Sequence, residues 1–390
     1  MENHGRPTDP YRIFFPLGIM LGVAGVAIWP LYYFGVTDGY SGRAHGLVQS
    51  DGFLYAFISG FLLTAIPRFT GTDAPSRKIQ YVLASVLVGA CIAFELQAFA
   101  TGNTAFVLAH FIVIALAVRR FRRRRQNPPP TFALVGAGLV SGAIGALINA
   151  FVAWNLIEPF WDLLGKRLLT EGMVLLLVLG VGGFLGPRLL GFAELPKFIN
   201  VKPSTRERIR AEYAAAGGAI LFSLIAEYGF GVQIMAFVRA AVVTAIIFGT
   251  VQPWRLPATR TTLAWCVWLA HWLVVGSVWL VAAAPPYRVD FLHVLFIGGF
   301  SLLILAVGTR VALSHGGHSL QQERGSWPIR IGLATGLIAM LARIWAPFAP
   351  FSYFEHLALA ALLWIGGMLF WGFYLFRLIR NRVDLELPHH

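Results

Sequence analysis

Twelve apolar runs of about 20 residues constrain this chain more than any other feature of its sequence. An α-helix needs a run of that length to cross the hydrocarbon core of a bilayer. Only 13% of the 390 residues are charged and the mean hydropathy is +0.69, whereas a soluble domain would carry about 25% charged residues. We therefore predict an all-α, polytopic integral membrane protein. Its predicted helices cover residues 12–35, 45–66, 79–100, 102–118, 131–155, 169–190, 212–228, 231–250, 259–284, 290–313, 328–346 and 352–376.

The basic residues predict the side of the membrane that each loop occupies. All but six of the 31 Lys and Arg residues fall in the termini or in loops that follow even-numbered helices. Cytoplasmic loops carry an excess of Lys and Arg, so we predict a cytoplasmic-membrane protein with both termini inside the cell. The net charge of +13 reflects this bias, and the expected contact of the basic run from Arg119 to Pro130 is membrane lipid, not nucleic acid. The six exceptions are Arg43, Lys166, Arg167, Arg239, Arg288 and Arg343.

Polar residues recur at every fourth predicted helix. Helices two, six and ten open with His45, Glu171 and His293. Glu171 follows His45 by 126 positions, and His293 follows Glu171 by 122. Helices two and six also end on related sequences, in which Gly-Phe-Leu is followed by Pro-Arg. This self-similarity predicts three pseudo-repeated units of four helices. The units would cover about residues 11–121, 131–250 and 258–380, within a single transmembrane domain of residues 1–390.

His45 and His293 are the leading candidates for a metal site. An ionisable side chain at membrane depth costs about 2.5–3.5 kcal/mol and is by default a functional candidate. Both are predicted to begin helices on the outer side at matching depth, and imidazole is a common axial ligand of haem iron. We interpret them as the axial pair of a b-type haem. Weaker candidates, for which hydrogen bonding between helices or interfacial packing is the alternative, are His110, His271, His356 and His315.

Charged residues near the histidines suggest further roles. Arg43 and Arg288 lie shortly before His45 and His293 in the sequence. With Arg343, they are candidates to pair with haem propionates, although snorkelling to the interface is the alternative. The acids inside the predicted helices are candidates for catalysis through proton transfer, for support of the metal ligands, or for helix packing. They are Asp51, Glu95, Glu171 and Glu227.

The segments at residues 45–71 and 291–317, and the ending from Arg380 to Asp384, resemble the NnrS family. The resemblance implies a haem- and copper-containing membrane protein of bacteria, tied to nitric oxide metabolism and to resistance against nitrosative stress. It would place the chain in the bacterial inner membrane. The layout of twelve helices also resembles the catalytic subunit of haem-copper oxidases and nitric oxide reductases, whose low-spin haem ligands lie on helices two and ten.

The family pattern carries over to individual histidines. His45 matches the first histidine of the family's Trp-His-x-His-Glu-Met stretch, His293 that of its Leu-His-Ala-Leu, and His315 that of its Gly-His-Thr-Gly turn. Leu47, Val48 and Gln49 stand where the family commonly shows His-Glu-Met, which puts copper in doubt. No histidine occurs on helices six and seven, so a dinuclear centre of the oxidase type is not expected.

These observations favour a haem protein that binds, senses or reduces nitric oxide, supplied by an electron donor that the sequence leaves open. Turnover as an oxidoreductase is left open as well. Two alternatives are a cofactor-free transporter or channel, whose path the buried acids and histidines would line, and a membrane factor for haem or copper assembly. Each is compatible with a homo-oligomer.

Overall fold

Most helices begin and end within about five residues of the predicted apolar runs, but the helices predicted at 169–190, 212–228 and 328–346 begin at Trp161, Pro203 and Leu320. A computed structural model describes residues 9–192 and 201–381; both chain ends, and with them most of the segment from Arg380 to Asp384, lie outside the described residues. Eleven helices of the described chain are long and apolar enough to cross a membrane, and a twelfth has 17 residues. No strand occurs among the described residues, so the predicted all-α, polytopic architecture is confirmed.

The twelve helices are numbered in chain order. They are α1 (Tyr11–Tyr33), α2 (Gly42–Thr70), α3 (Arg77–Glu95), α4 (Phe99–Arg122), α5 (Phe132–Ala153), α6 (Trp161–Leu189), α7 (Pro203–Gly229), α8 (Ile234–Thr250), α9 (Thr262–Ala283), α10 (Pro285–Gly316), α11 (Leu320–Phe348) and α12 (Pro350–Arg380).

Local sequence signals set several of these helix ends. The Thr261 side chain accepts a hydrogen bond from the Ala264 amide at 3.1 Å and so caps the start of α9, as hydroxyl residues commonly do. Helices α2 and α10 are followed by Gly71 and Gly317, whose φ angles of 65° and 72° are left-handed. Glycine tolerates this conformation because it has no Cβ, which makes it the usual residue after a helix.

Residue contacts group the chain into two compact units. The first comprises Met1–Gly25, Ser41–Arg188 and Ala193–Gln252. In it, α2 packs on α3 and α4, α5 packs on α4, α6 and α7, and α7 pairs with α8. Small residues allow the close approach of α5 and α6: a Cβ at Gly145 would lie 2.7 Å from the Gly165 carbonyl oxygen. Close helix packing through small residues is typical of membrane proteins.

The second unit comprises Val26–Tyr40, Leu189–Phe192 and Pro253–His390. Helix α10 packs on α9, α11 and α12. The Trp364 indole donates to Ser301 Oγ at 3.3 Å, and the Trp371 indole donates to Thr309 Oγ1 at 2.9 Å. These bonds join α12 to the middle of α10. The predicted single domain and its three four-helix units stay predictions.

Candidate functional site

Three helices of the described chain contain a π-helical segment. The segments are Val48–Leu54 in α2, Leu168–Val174 in α6 and Val294–Ser301 in α10. Each follows an α-helical stretch of six or seven residues, and together they recur at every fourth helix. Because π-helical turns are rare and frequently mark functional sites, they mark the candidate functional residues of each unit.

His45 lies in the first unit, three residues before the π-helix of α2. Its Nδ1 atom is 2.7 Å from the carbonyl oxygen of Gly25 in α1. Since a carbonyl oxygen can only accept, Nδ1 carries the proton and donates it, and the lone pair is on Nε2. Imidazoles that bind metals commonly donate their other ring N–H to a backbone carbonyl, which fixes the ring orientation. The tautomer of His45 therefore fits a metal ligand that binds through Nε2.

His293 and His271 show the same chemistry in the second unit. The Nδ1 atom of His293 is 2.7 Å from the Val289 carbonyl oxygen, and that of His271 is 2.7 Å from the Val267 carbonyl oxygen. His293 directly precedes the π-helix of α10 and is partly exposed, whereas His271 is buried in α9. Both histidines fit a metal ligand through Nε2, so His271 deserves the same tests as His293.

The remaining candidate histidines have other surroundings. His110 is fully buried, and both its ring nitrogens are hydrogen-bonded: Nδ1 accepts from the Tyr55 hydroxyl at 2.8 Å, and Nε2 donates to the Leu139 carbonyl at 2.9 Å. This geometry leaves His110 no lone pair for a metal. His356, near the start of α12, is partly exposed, and its Nδ1 donates to the Ser352 carbonyl at 2.9 Å. It therefore has the same tautomer as His45 but lies outside the three π-helical segments.

His315 lies at the opposite end of α10 from His293. The helix is continuous from Arg288 to Gly316, so the two histidines are roughly 30 Å apart at 1.5 Å per residue. They cannot bind the same metal ion.

Two π-helices carry a buried acid at the same position. Asp51 and Glu171 are each the fourth residue of their segment, and each is followed by a glycine. In the register of the π-helices Glu171 corresponds to Asp51, whereas the spacing along the sequence pairs it with His45.

The glycines after these acids allow neighbouring helices to approach the π-helices closely. A Cβ at Gly52 would lie 2.6 Å from Cys91 Sγ, and one at Gly172 would lie 2.2 Å from Ser141 Oγ. A side chain at either position would overlap its neighbour. The acids are therefore held in tightly packed surroundings.

Asp51 is a fully buried acid with an incomplete set of hydrogen bonds. Its Oδ1 accepts from the Ser50 hydroxyl at 2.8 Å, while Oδ2 has no hydrogen-bond partner among the described residues. The ammonium of Lys166 acts on it electrostatically and itself pairs with Asp162 at 2.6 Å. The other ionisable groups around it are the Tyr55 phenol and the Cys91 thiol.

Glu171, in contrast, belongs to a buried ion-pair network. Arg239 Nη2 lies 2.6 Å from Glu227 Oε2 and 3.7 Å from Glu171 Oε2, and Arg167 Nη1 lies 3.3 Å from Glu227 Oε1. The negative charges of two acids and the positive charges of two arginines thus balance one another across α6, α7 and α8. Such pairing makes buried charges tolerable in an apolar interior. In the sequence these four residues stand apart, and only the structure brings them together.

Most exceptions to the positive-inside pattern are paired with carboxylates. Arg43 Nη2 lies 3.1 Å from Asp162 Oδ1, and Arg343 Nη1 lies 2.7 Å from Asp290 Oδ1. Sequence analysis missed both aspartates, although each stands within five residues of another of the exceptional basic residues. Arg288 opens the α-helical part of α10. The candidate acid Glu95 is the exposed last residue of α3.

The donor set fits a haem better than a metal held by protein atoms alone. Among the described residues there is no group of three or more His, Cys, Asp or Glu side chains that could hold a metal ion. A haem needs only axial donors from the protein, because the porphyrin supplies the other ligands of its iron. His45 in the first unit and His293 in the second unit each have the tautomer that such a donor requires.

The fold and these residues define the class: a polytopic, all-α membrane protein whose buried acids and candidate ligand histidines lie in or beside π-helical segments. A comparison with known protein families then identifies the family. The family model described as NnrS protein matches residues 8–382, nearly the whole chain, and the chain therefore belongs to the NnrS family. No curated protein matches it.

Proposed function

We propose that this chain is a b-type haem protein of the bacterial inner membrane that acts in nitric oxide metabolism or nitrosative-stress defence. His45 and His293 would hold the haem iron. The observation that carries the proposal is their common tautomer beside the π-helices: each donates Nδ1–H to a backbone carbonyl at 2.7 Å. The family's link to nitric oxide supports the biological role.

Two backbone carbonyls would orient the ligand rings. Gly25 and Val289 each accept the Nδ1 proton of one histidine, which fixes the ring orientation and raises the basicity of Nε2. Haem, when bound, would supply a redox-active iron, and one of the two histidines would have to leave it before nitric oxide could bind there. Arg43 and Arg343 could pair with propionates only in competition with Asp162 and Asp290, and Arg288 stays a predicted propionate partner.

Reduction of nitric oxide consumes protons, and Asp51 is our candidate to hold one. Its carboxyl group is fully buried and Oδ2 has no hydrogen-bond partner among the described residues. A charged carboxylate in such surroundings would be costly, so we propose that the resting protein holds Asp51 as a neutral acid. Glu171, beside Arg239, would remain ionised.

Absorption spectra test the haem proposal. Purified protein, supplied with haem during expression, should show a Soret band that shifts when nitric oxide is added. H45A and H293A should each lose or shift the band, because each removes an axial nitrogen. H356A is the matched control, and its spectrum should stay that of the wild type.

The variant H271A separates His271 from His293, which have the same tautomer in the second unit. If H293A keeps the wild-type spectrum and H271A loses it, His271 replaces His293 as the proposed ligand. A wild-type protein with no Soret band would overturn the haem proposal and favour a cofactor-free transporter. If the Soret band is present, consumption of nitric oxide with an artificial reductant would distinguish turnover from binding alone.

A further inference from the structure

A cavity of about 570 Å³ opens between the loop that joins α2 to α3 and the end of α4. Residues 71–76 form one wall, and four arginines line the other: Arg119, Arg120, Arg123 and Arg125. All belong to the first unit. The cavity lies at helix ends that the distribution of basic residues assigns to the cytoplasmic side. Its volume is in the range of small-molecule sites.

Arg120 is a buried part of this wall. It is only 8% exposed, Nε donates to the Asp73 carbonyl oxygen at 3.1 Å, and Nη1 donates to the Leu116 carbonyl oxygen at 2.8 Å. Carbonyl oxygens fix the guanidinium but do not neutralise its charge. A cation held in place without a direct ion pair is suited to an anion-binding site.

The opposite wall is also fixed. The Arg125 amide donates to the Thr70 carbonyl oxygen at 2.7 Å and so ties the loop after α4 to the end of α2. Ser76, the residue before α3, makes no side-chain capping bond. The N-terminal amides of a helix attract anions, and Ser76 and Ile79 at this helix start line the cavity together with the four arginines.

The charge of the cavity is strongly positive. Asp73 is the one acid among the described residues that line it, against four arginines. In the described part of the chain, no carboxylate forms an ion pair with these arginines, in contrast to Arg43, Arg167, Arg239 and Arg343. Several guanidinium groups around one cavity match a phosphate group, which accepts paired hydrogen bonds from each of them.

We infer that this cavity is a binding site for a phosphate group, carried by an anionic phospholipid or by a soluble phosphate compound. The site is independent of the haem proposal. If the basic run that begins at Arg119 only anchored the chain at the membrane surface, each of its arginines would contribute equally to lipid binding. Arg122 and Arg124 test this difference, because they belong to the same run but do not line the cavity.

Native mass spectrometry of the full chain in detergent tests the site. The probes are cardiolipin, phosphatidylglycerol and phosphatidylcholine, with inorganic phosphate as the soluble competitor. R119Q/R123Q should weaken binding of the anionic lipid at least ~tenfold, because charged hydrogen bonds of this kind contribute about that factor or more. R122Q/R124Q removes the same charge and should bind like the wild type. Both double variants should retain the wild-type melting temperature.

The outcomes separate the two sources of phosphate. Anionic lipid that stays bound in excess inorganic phosphate supports a lipid site, whereas displacement by inorganic phosphate supports a soluble ligand. Equal weakening in both double variants would overturn the inference in favour of general attraction to the membrane surface. Failure of the wild type to bind any probe would overturn it as well.

Discussion

At the scale of single residues, the partners of a side chain decide its role more than its type does. His45 and His110 are both histidines of predicted transmembrane helices. His45 donates one N–H to a backbone carbonyl and keeps the tautomer of a metal ligand. His110 uses both ring nitrogens to join α2, α4 and α5. We therefore assign His110 to packing, which the sequence alone left open.

Asp51 supports a prediction at this scale. Infrared spectra of the wild type should contain the carbonyl stretch of a protonated carboxylic acid, because the buried Oδ2 of Asp51 has no partner among the described residues. D51N should lose that band. E171Q should keep it, since Glu171 lies near Arg239 and is expected to be ionised. A band that persists in D51N would contradict the assignment.

At the scale of helices, the buried ion-pair network joins α6, α7 and α8. Arg239 is 3% exposed at its side chain and lies between Glu171 and Glu227. R239M would leave two carboxylates buried with less compensation, so we expect a loss of about 3–5 kcal/mol of folding free energy. Thermal or denaturant unfolding in detergent would measure it.

A surface pair provides the control for that experiment. Arg208 pairs with Glu212 at 3.5 Å, and both side chains are well exposed. R208M should change the free energy of unfolding by less than ~1 kcal/mol, because water already screens such pairs. If R239M destabilises the protein no more than R208M does, the network has no structural role.

At the scale of the whole molecule, the distribution of charge predicts topology. The loops rich in arginine should face the cytoplasm. A fluorescent protein fused after α12 should therefore fluoresce, whereas alkaline phosphatase fused after Trp154, between α5 and α6, should be active because it reaches the outer side. The reverse result for both fusions would invert the topology and place the arginine-lined cavity on the outer side.

The structure also explains most of the basic residues that depart from this charge pattern. Arg43, Lys166, Arg167, Arg239 and Arg343 each lie within 4.0 Å of a carboxylate oxygen. Pairing compensates their charges locally. They can therefore occupy helices and loops where an unpaired arginine would be unfavourable.

The sequence by itself determined the helices of this protein. Their number and approximate bounds followed from the apolar runs, because the thickness of a bilayer sets the length of a spanning helix. The motifs around His45 and His293 were likewise sufficient to indicate the family, and the tautomers of both fit the role predicted for them.

Only the tertiary structure decided how the polar residues associate. Asp162 and Arg43 are 119 positions apart, and Glu227 and Arg167 are 60 positions apart. The π-helices, which relate Asp51 to Glu171, shift the backbone register without a signal in hydropathy. Hydropathy reports how each segment partitions between water and lipid, whereas these pairings depend on which helix faces meet when the segments pack together.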